Sequence, residues 1–143
     1  MNRKFERRLV LIAGIWQVAM GFLTIFVYAP RHRREGLDLI YEAAPLPLVE
    51  AEAINSLFSS LYMFIVTFGM LFVVLGLINI FLSTKIKDNK VEKKIPLFLL
   101  ICGVGVYFLM DFISTIMLVS ASILMLAKNK SIGRLNHGDT EVL

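Results

Sequence analysis

Charge is scarce in this sequence. Only 18% of its 143 residues are Asp, Glu, Lys or Arg, against 57% hydrophobic residues, whereas a soluble domain needs about a quarter charged residues to cover its surface. With a mean hydropathy of +0.74, most of the chain has lipid as its solvent. Cysteine occurs once, as Cys102 inside an apolar run. No internal disulfide is available, and the residue reads as a small packing group. Catalytic signatures are missing as well. There is no H-E-x-x-H, no G-x-S-x-G and no C-x-x-C, and Gly103 and Gly105 sit in a hydrophobic run rather than a phosphate loop. His32 and His137 lie far apart and suggest no shared metal site. The expectation is a protein that is no enzyme and takes no cofactor and no metal.

Lys and Arg outnumber Asp and Glu by 15 to 11. These bases flank apolar segments in short runs and form no basic face interleaved with aromatics, so nucleic acid is not expected as a partner. The placement reads instead as membrane orientation.

Crossing a hydrocarbon layer of about 30 Å takes roughly 20 helical residues. Residues 9–29 and 57–82 meet this length. The charged opening MNRKFERR resembles a signal peptide, but the 21 residues that follow exceed the usual apolar core and Pro30 directly follows the one plausible cleavage site. The segment reads as a retained first helix. The run over residues 97–127 is ambiguous: 31 residues as one helix would be ~46 Å long, and as two they are slightly short.

The positive-inside rule separates these alternatives. Arg3, Lys4, Arg7 and Arg8 precede the first run, and Lys85, Lys87, Lys90, Lys93 and Lys94 lie between the second and third. Both groups belong in the cytoplasm. The connection 30–56 offsets Arg31, Arg33 and Arg34 with Glu35, Asp38, Glu42, Glu50 and Glu52, so it belongs outside. A hairpin in the last run returns Lys128, Lys130 and Arg134 to the cytoplasm, whereas a single crossing does not. Tyr28, Tyr62 and Tyr107 then all fall at the outer interface, which tyrosine prefers. Parity favours spans at about 9–29, 57–82, 95–110 and 112–128.

Asp111 is the one charge inside the last run. Near the bilayer centre an isolated aspartate costs about 2.5 to 3.5 kcal/mol on insertion scales; at a hairpin turn it costs far less. Two roles stay open for it, an outer turn without Gly or Pro, and a buried functional carboxylate.

Helices in lipid associate through close backbone approach and interhelical hydrogen bonds. Gly14, Gln17, Gly21, Thr24 and Tyr28 share one stripe of the first helix, and Gly69, Gly76, Asn79 and Ser83 one stripe of the second. These stripes are expected to face each other or a neighbouring subunit, with Gln17 and Asn79 acting as interhelical glue or as substrate ligands. Small residues recur later at Cys102, Gly103, Gly105, Ser114, Thr115, Ser120 and Ser122. In the outer connection Leu37, Ile40, Tyr41 and Ala44 recur at helical spacing, and Pro47 is placed to begin a second short helix. That connection rests on the bundle, lies on the outer membrane surface or binds a partner. Residues 131–143 are polar and are expected to form a flexible cytoplasmic tail.

The opening NRKFERRLVLIAGIWQVAMGFLTIF, the segment GMLFVVLGLINIFL and the terminal hairpin ending SILMLAKNK resemble a family of small uncharacterised four-helix membrane proteins of Gram-positive bacteria, a domain-of-unknown-function family. The likeness covers residues 1–130. It implies a bacterial cytoplasmic membrane and four helices, and it carries no catalytic residues. Asp111 and the proline-containing outer connection have no counterpart in it.

The sequence thus points to an all-α integral membrane four-helix bundle with both termini cytoplasmic and a short last hairpin. Its expected role is non-enzymatic: an accessory subunit, regulator or immunity factor that binds another membrane protein or a second copy of itself. The alternative is an oligomeric transporter or channel subunit, for which Asp111 and Gln17 would be the residues to test.

Overall fold

A computed structural model describes residues 2–43, 47–88 and 90–138, and every regular element among them is helical. Helix α1, Lys4–Leu23, passes through a π-helical turn, Thr24–Tyr28, directly into α2, Ala29–Ala43. Helix α3 is Leu48–Lys85, α4 is Lys94–Phe108 and α5 is Phe112–Gly138. Three stretches, Lys4–Glu42, Glu50–Lys85 and Phe112–Gly133, are long and apolar enough to cross a membrane. Helix α4 has 15 residues, about 22 Å of axis.

The helices run further than the hydrophobic runs. The first was expected to end before Pro30, because a proline inside a helix removes a hydrogen bond and crowds the carbonyl one turn back. Here the Ala29 N–H reaches back to the Thr24 carbonyl in the wider π register, and the loosened turn carries the chain past Pro30. The connection expected over 30–56 is accordingly mostly helix. Pro47 does precede a helix, its carbonyl accepting the Glu50 and Ala51 N–H groups at 3.0 and 3.1 Å. That helix is α3 itself, since the stretch from Glu50 to Leu57 holds no glycine or proline to break it. Ala44 lies outside the described residues. At the other end α5 continues to Gly138, into the segment expected to be a flexible tail, and residues 139–143 lie outside the described residues.

The chain divides into two compact units. The first is Met1–Gln17 with Gly76–Leu143, and the second is Val18–Leu75.

In the first unit, Val10, Ala13, Ile86, Leu99, Leu118, Ala121 and Met125 form the core, with Cys102 packed against it. Helices α4 and α5 make a tight hairpin: a Cβ added to Gly103 would lie 2.8 Å from Val119 Cγ2. The turn closes by a Schellman arrangement. Met110 N–H donates to the Tyr107 carbonyl at 3.0 Å and Asp111 N–H to the Val106 carbonyl at 3.2 Å. Met110 occupies the left-handed position, φ 62°, that glycine usually takes. Pro96 sits in the first turn of α4, where its missing N–H costs nothing, and Ser122 Oγ donates to its carbonyl at 2.6 Å.

In the second unit the closest approach is at Gly21 and Gly69. A Cβ on Gly21 would lie 2.7 Å from the Gly69 carbonyl oxygen, and one on Gly69 would lie 3.1 Å from the Gly21 oxygen. Gly36 of α2 lies against the Phe58 ring, which an added Cβ would overlap.

Large apolar side chains face outward along all these helices, among them Phe22, Phe26, Leu57, Phe64, Ile101 and Ile116, while Gln17, Asn79, Ser114 and Ser122 are buried. Water would penalise that distribution by about 25 cal/mol for each Å² of exposed apolar surface. Lipid does not.

Candidate functional site

The expected packing residues are brought together in pairs. Within the first unit a Cβ on Gly14 would lie 2.8 Å from the Gly76 carbonyl oxygen and 2.8 Å from Ile80 Cγ1. One turn along, Asn79 Nδ2 donates to Gln17 Oε1 at 2.8 Å. Both amides are buried, at 1% and 0% exposure, and Gln17 Nε2 and Asn79 Oδ1 have no partner. The two amides thus share one interhelical hydrogen bond, which suits glue between α1 and α3. Gly21 and Gly69 form the equivalent contact within the second unit. Backbone against backbone leaves no room for a side chain at these positions.

Asp111 occupies the turn between α4 and α5. Its Oδ1 accepts the Ser114 N–H at 3.1 Å, and its carbonyl accepts the Thr115 N–H and hydroxyl at 3.1 and 2.9 Å. This is an N-cap: the carboxylate satisfies an otherwise orphaned donor and meets the positive end of the helix dipole. Oδ2 is buried without a partner.

A polar network that sequence reasoning did not anticipate closes one end of the first unit. Arg3 is 2% exposed and Glu6 is 0% exposed. The Arg3 backbone N–H donates to Asp88 Oδ1 at 2.7 Å, and its Nη2 donates to the Lys90 carbonyl at 2.9 Å and to Asn129 Oδ1. Asn129 Nδ2 in turn donates to the Glu92 carbonyl at 2.6 Å. Arg7 Nη2 donates to the Ile86 carbonyl, which belongs to a connection with few backbone bonds of its own. Lys128 Nζ donates to the Asn2 carbonyl at 2.8 Å and forms an ion pair with the Glu6 carboxylate. Neither Glu6 oxygen accepts a well-aligned hydrogen bond, and among the described residues Lys128 is its one ion-pair partner. The segment before α1, the connection 86–92 and the later part of α5 are thereby fastened together. Arg3, Arg7 and Lys128 are bases that charge counting alone would leave in solvent. The available signals were Glu6 inside an otherwise basic opening and Asn129 between two lysines.

The second unit carries a different feature. Beside the Gly21–Gly69 contact lies an apolar groove of about 510 Å³, lined by Met20, Leu23, Thr24, Val27 and Tyr28 on one side and by Phe64, Ile65 and Phe68 on the other. Thr24 Oγ1 donates to the Met20 carbonyl at 2.8 Å, so the hydroxyl is used within the helix and the groove wall stays apolar. Met20, Leu23, Thr24, Val27 and Tyr28 recur at spacings of three and four residues, so they share one face of the helix. Two further pockets adjoin it, one sharing Val27 and lined also by Pro30, Arg31, Arg34 and Glu35, the next by Pro30, Arg33, Arg34 and Tyr62, and their arginines form a basic rim. There the Arg33 guanidinium sits 5.8 Å from the Tyr62 ring centre, and the Tyr28 and His32 rings are 4.1 Å apart. Arg31 pairs with Glu35 at 2.6 Å. Arg33 and Arg34 make no ion pair among the described residues.

No three His, Cys, Asp or Glu side chains converge on a common point among the described residues; the His137 side chain lies outside them. Compared with family models, with curated proteins and with solved structures, the chain finds no match.

Proposed function

We propose that this chain is a multi-pass protein of the cytoplasmic membrane, akin to the small four-helix membrane proteins its sequence resembles, that acts without chemistry of its own by binding another membrane protein. In this reading it crosses four times, with α4 and α5 forming the short last hairpin and both terminal segments in the cytoplasm. Support for the even count comes from the first unit. The segment before α1, the lysine-bearing connection before α4 and Lys128 of α5 share one polar network, as expected of groups on one side of a membrane.

The observation that carries the functional part is the use made of Asp111. Its Oδ1 caps α5, which supports a structural role for this acid over the transport alternative. Gln17 likewise has Asn79 for a partner. Exposed apolar surface along the helices is available to another membrane protein, and an accessory or regulatory role uses such surface.

Purification of the tagged chain in mild detergent tests this. A reproducible membrane-protein partner at near-equal stoichiometry is the expected result. A chain that purifies alone, together with proteoliposome flux abolished by Asp111→Asn, would replace the reading with the transporter one.

A further inference from the structure

We infer that the groove and basic rim of the second unit form a binding site for one anionic phospholipid, with an acyl chain along the groove and the headgroup phosphate at Arg33 and Arg34. The inference rests on the membrane reading above and adds a ligand class to it.

Three features of the site point to this occupant. The groove wall is apolar from Met20 through Val27 to Phe64 and Phe68, and the one hydroxyl in its Met20–Val27 wall, that of Thr24, is bonded to the Met20 carbonyl. A water-soluble ligand would find a polar group only at the Tyr28 end of it. Its extent also fits: Met20 to Pro30 covers about 15 Å of helix axis, the depth of a single leaflet in a hydrocarbon layer of about 30 Å. The rim then begins where the phosphates of that leaflet would lie. Finally, the rim is unbalanced in charge. Glu35 pairs with Arg31, whereas Arg33 is held over Tyr62 and Arg34 is exposed, neither in an ion pair among the described residues. Two guanidiniums free of ion pairs among the described residues, beside an apolar groove, match a phosphodiester joined to an acyl chain, because guanidinium binds phosphate through paired N–H donors. A zwitterionic headgroup offers the same phosphate but brings its own cation to the site. A second copy of the chain would have to place an acid there.

The test is retention of lipid by the intact chain. Protein reconstituted into phosphatidylcholine vesicles with one-fifth phosphatidylglycerol is floated, extracted in mild detergent, and its bound lipid is quantified by mass spectrometry. Enrichment of phosphatidylglycerol over its bulk share is expected. Each arginine removed should lower that enrichment about fivefold. Arg34→Gln tests this without touching the Tyr62 contact, and Arg33→Gln with Arg34→Gln tests the pair. Val27→Trp, which fills the groove, should reduce retention with the arginines intact. Flotation of every variant with equal phosphatidylglycerol retention would overturn the lipid site alone. So would a detergent-stable dimer, cross-linked at Val27→Cys, that carries no lipid. Failure to float with any vesicle would overturn the membrane reading, and the site with it.

Discussion

The two units hold their helices together in different ways. The second unit relies on shape: Gly21 against Gly69, Gly36 against Phe58, and no buried charge among the described residues. The first adds polar bonds to its glycine contact, with Gln17 and Asn79 joined between helices and Arg3, Glu6, Arg7, Lys128 and Asn129 fastening one end. Close approach is enough where two helices meet. Where a terminal segment, a connection and a third helix must be held together, directional bonds define which groups meet, and the buried acid makes that choice costly to undo. The shape-based unit, in return, is the one that leaves an open groove.

If this contrast is right, substitutions in each unit should weaken that unit first. The largest effect is expected from Lys128→Ala. It leaves Glu6 buried without a counter-charge, which costs about 3 to 5 kcal/mol when the site is dry and less as water reaches the lysine side. Thermal unfolding in detergent would register it, and hydrogen exchange should rise in α5 and the segment before α1 while α2 keeps its protection. Gly21→Ala should reverse that pattern. Its Cβ would meet a backbone oxygen that cannot rotate away, an overpacking of about 1 to 3 kcal/mol, and exchange should rise around the π turn and α2. A smaller loss, about 1 kcal/mol, is expected from Gln17→Leu. Adding Asn79→Leu should restore part of it, because the second change removes the amide left unsatisfied by the first. The smallest effects should be gains. Gly105 has open space around its missing Cβ, so Gly105→Ala should stabilise α4 by about 0.5 to 1 kcal/mol. Met110→Gly should do the same for the hairpin turn, by relieving a left-handed residue that carries a side chain.

Much of the helical content was legible, because run length and charge flanks are local signals. The hairpin was legible through Asp111, whose cost at the bilayer centre and place near the middle of an overlong run point to a turn. The absence of Gly or Pro there hid the turn type, since Met110 takes a position that propensity assigns to glycine. Helix ends were the weaker part. Pro30 reads as a stop unless the π turn before it is known, and Thr24–Tyr28 has no composition that announces one. The glycine and amide stripes were visible by spacing. That they meet within the chain, Gly14 on Gly76 and Gln17 on Asn79, required the fold. The Arg3, Glu6, Lys128 and Asn129 network was not visible, because its members lie more than a hundred residues apart and each base looks solvated when read alone.

Accessibility of the hairpin turn and the distal part of α5 in intact cells tests the arrangement most directly. In a Cys102→Ser background, Met110→Cys and Ser131→Cys each provide one thiol for a membrane-impermeant maleimide. The four-crossing arrangement predicts labelling of Met110→Cys from outside, and of Ser131→Cys only after permeabilisation. Labelling of Ser131→Cys in sealed cells, with Met110→Cys protected, would contradict it.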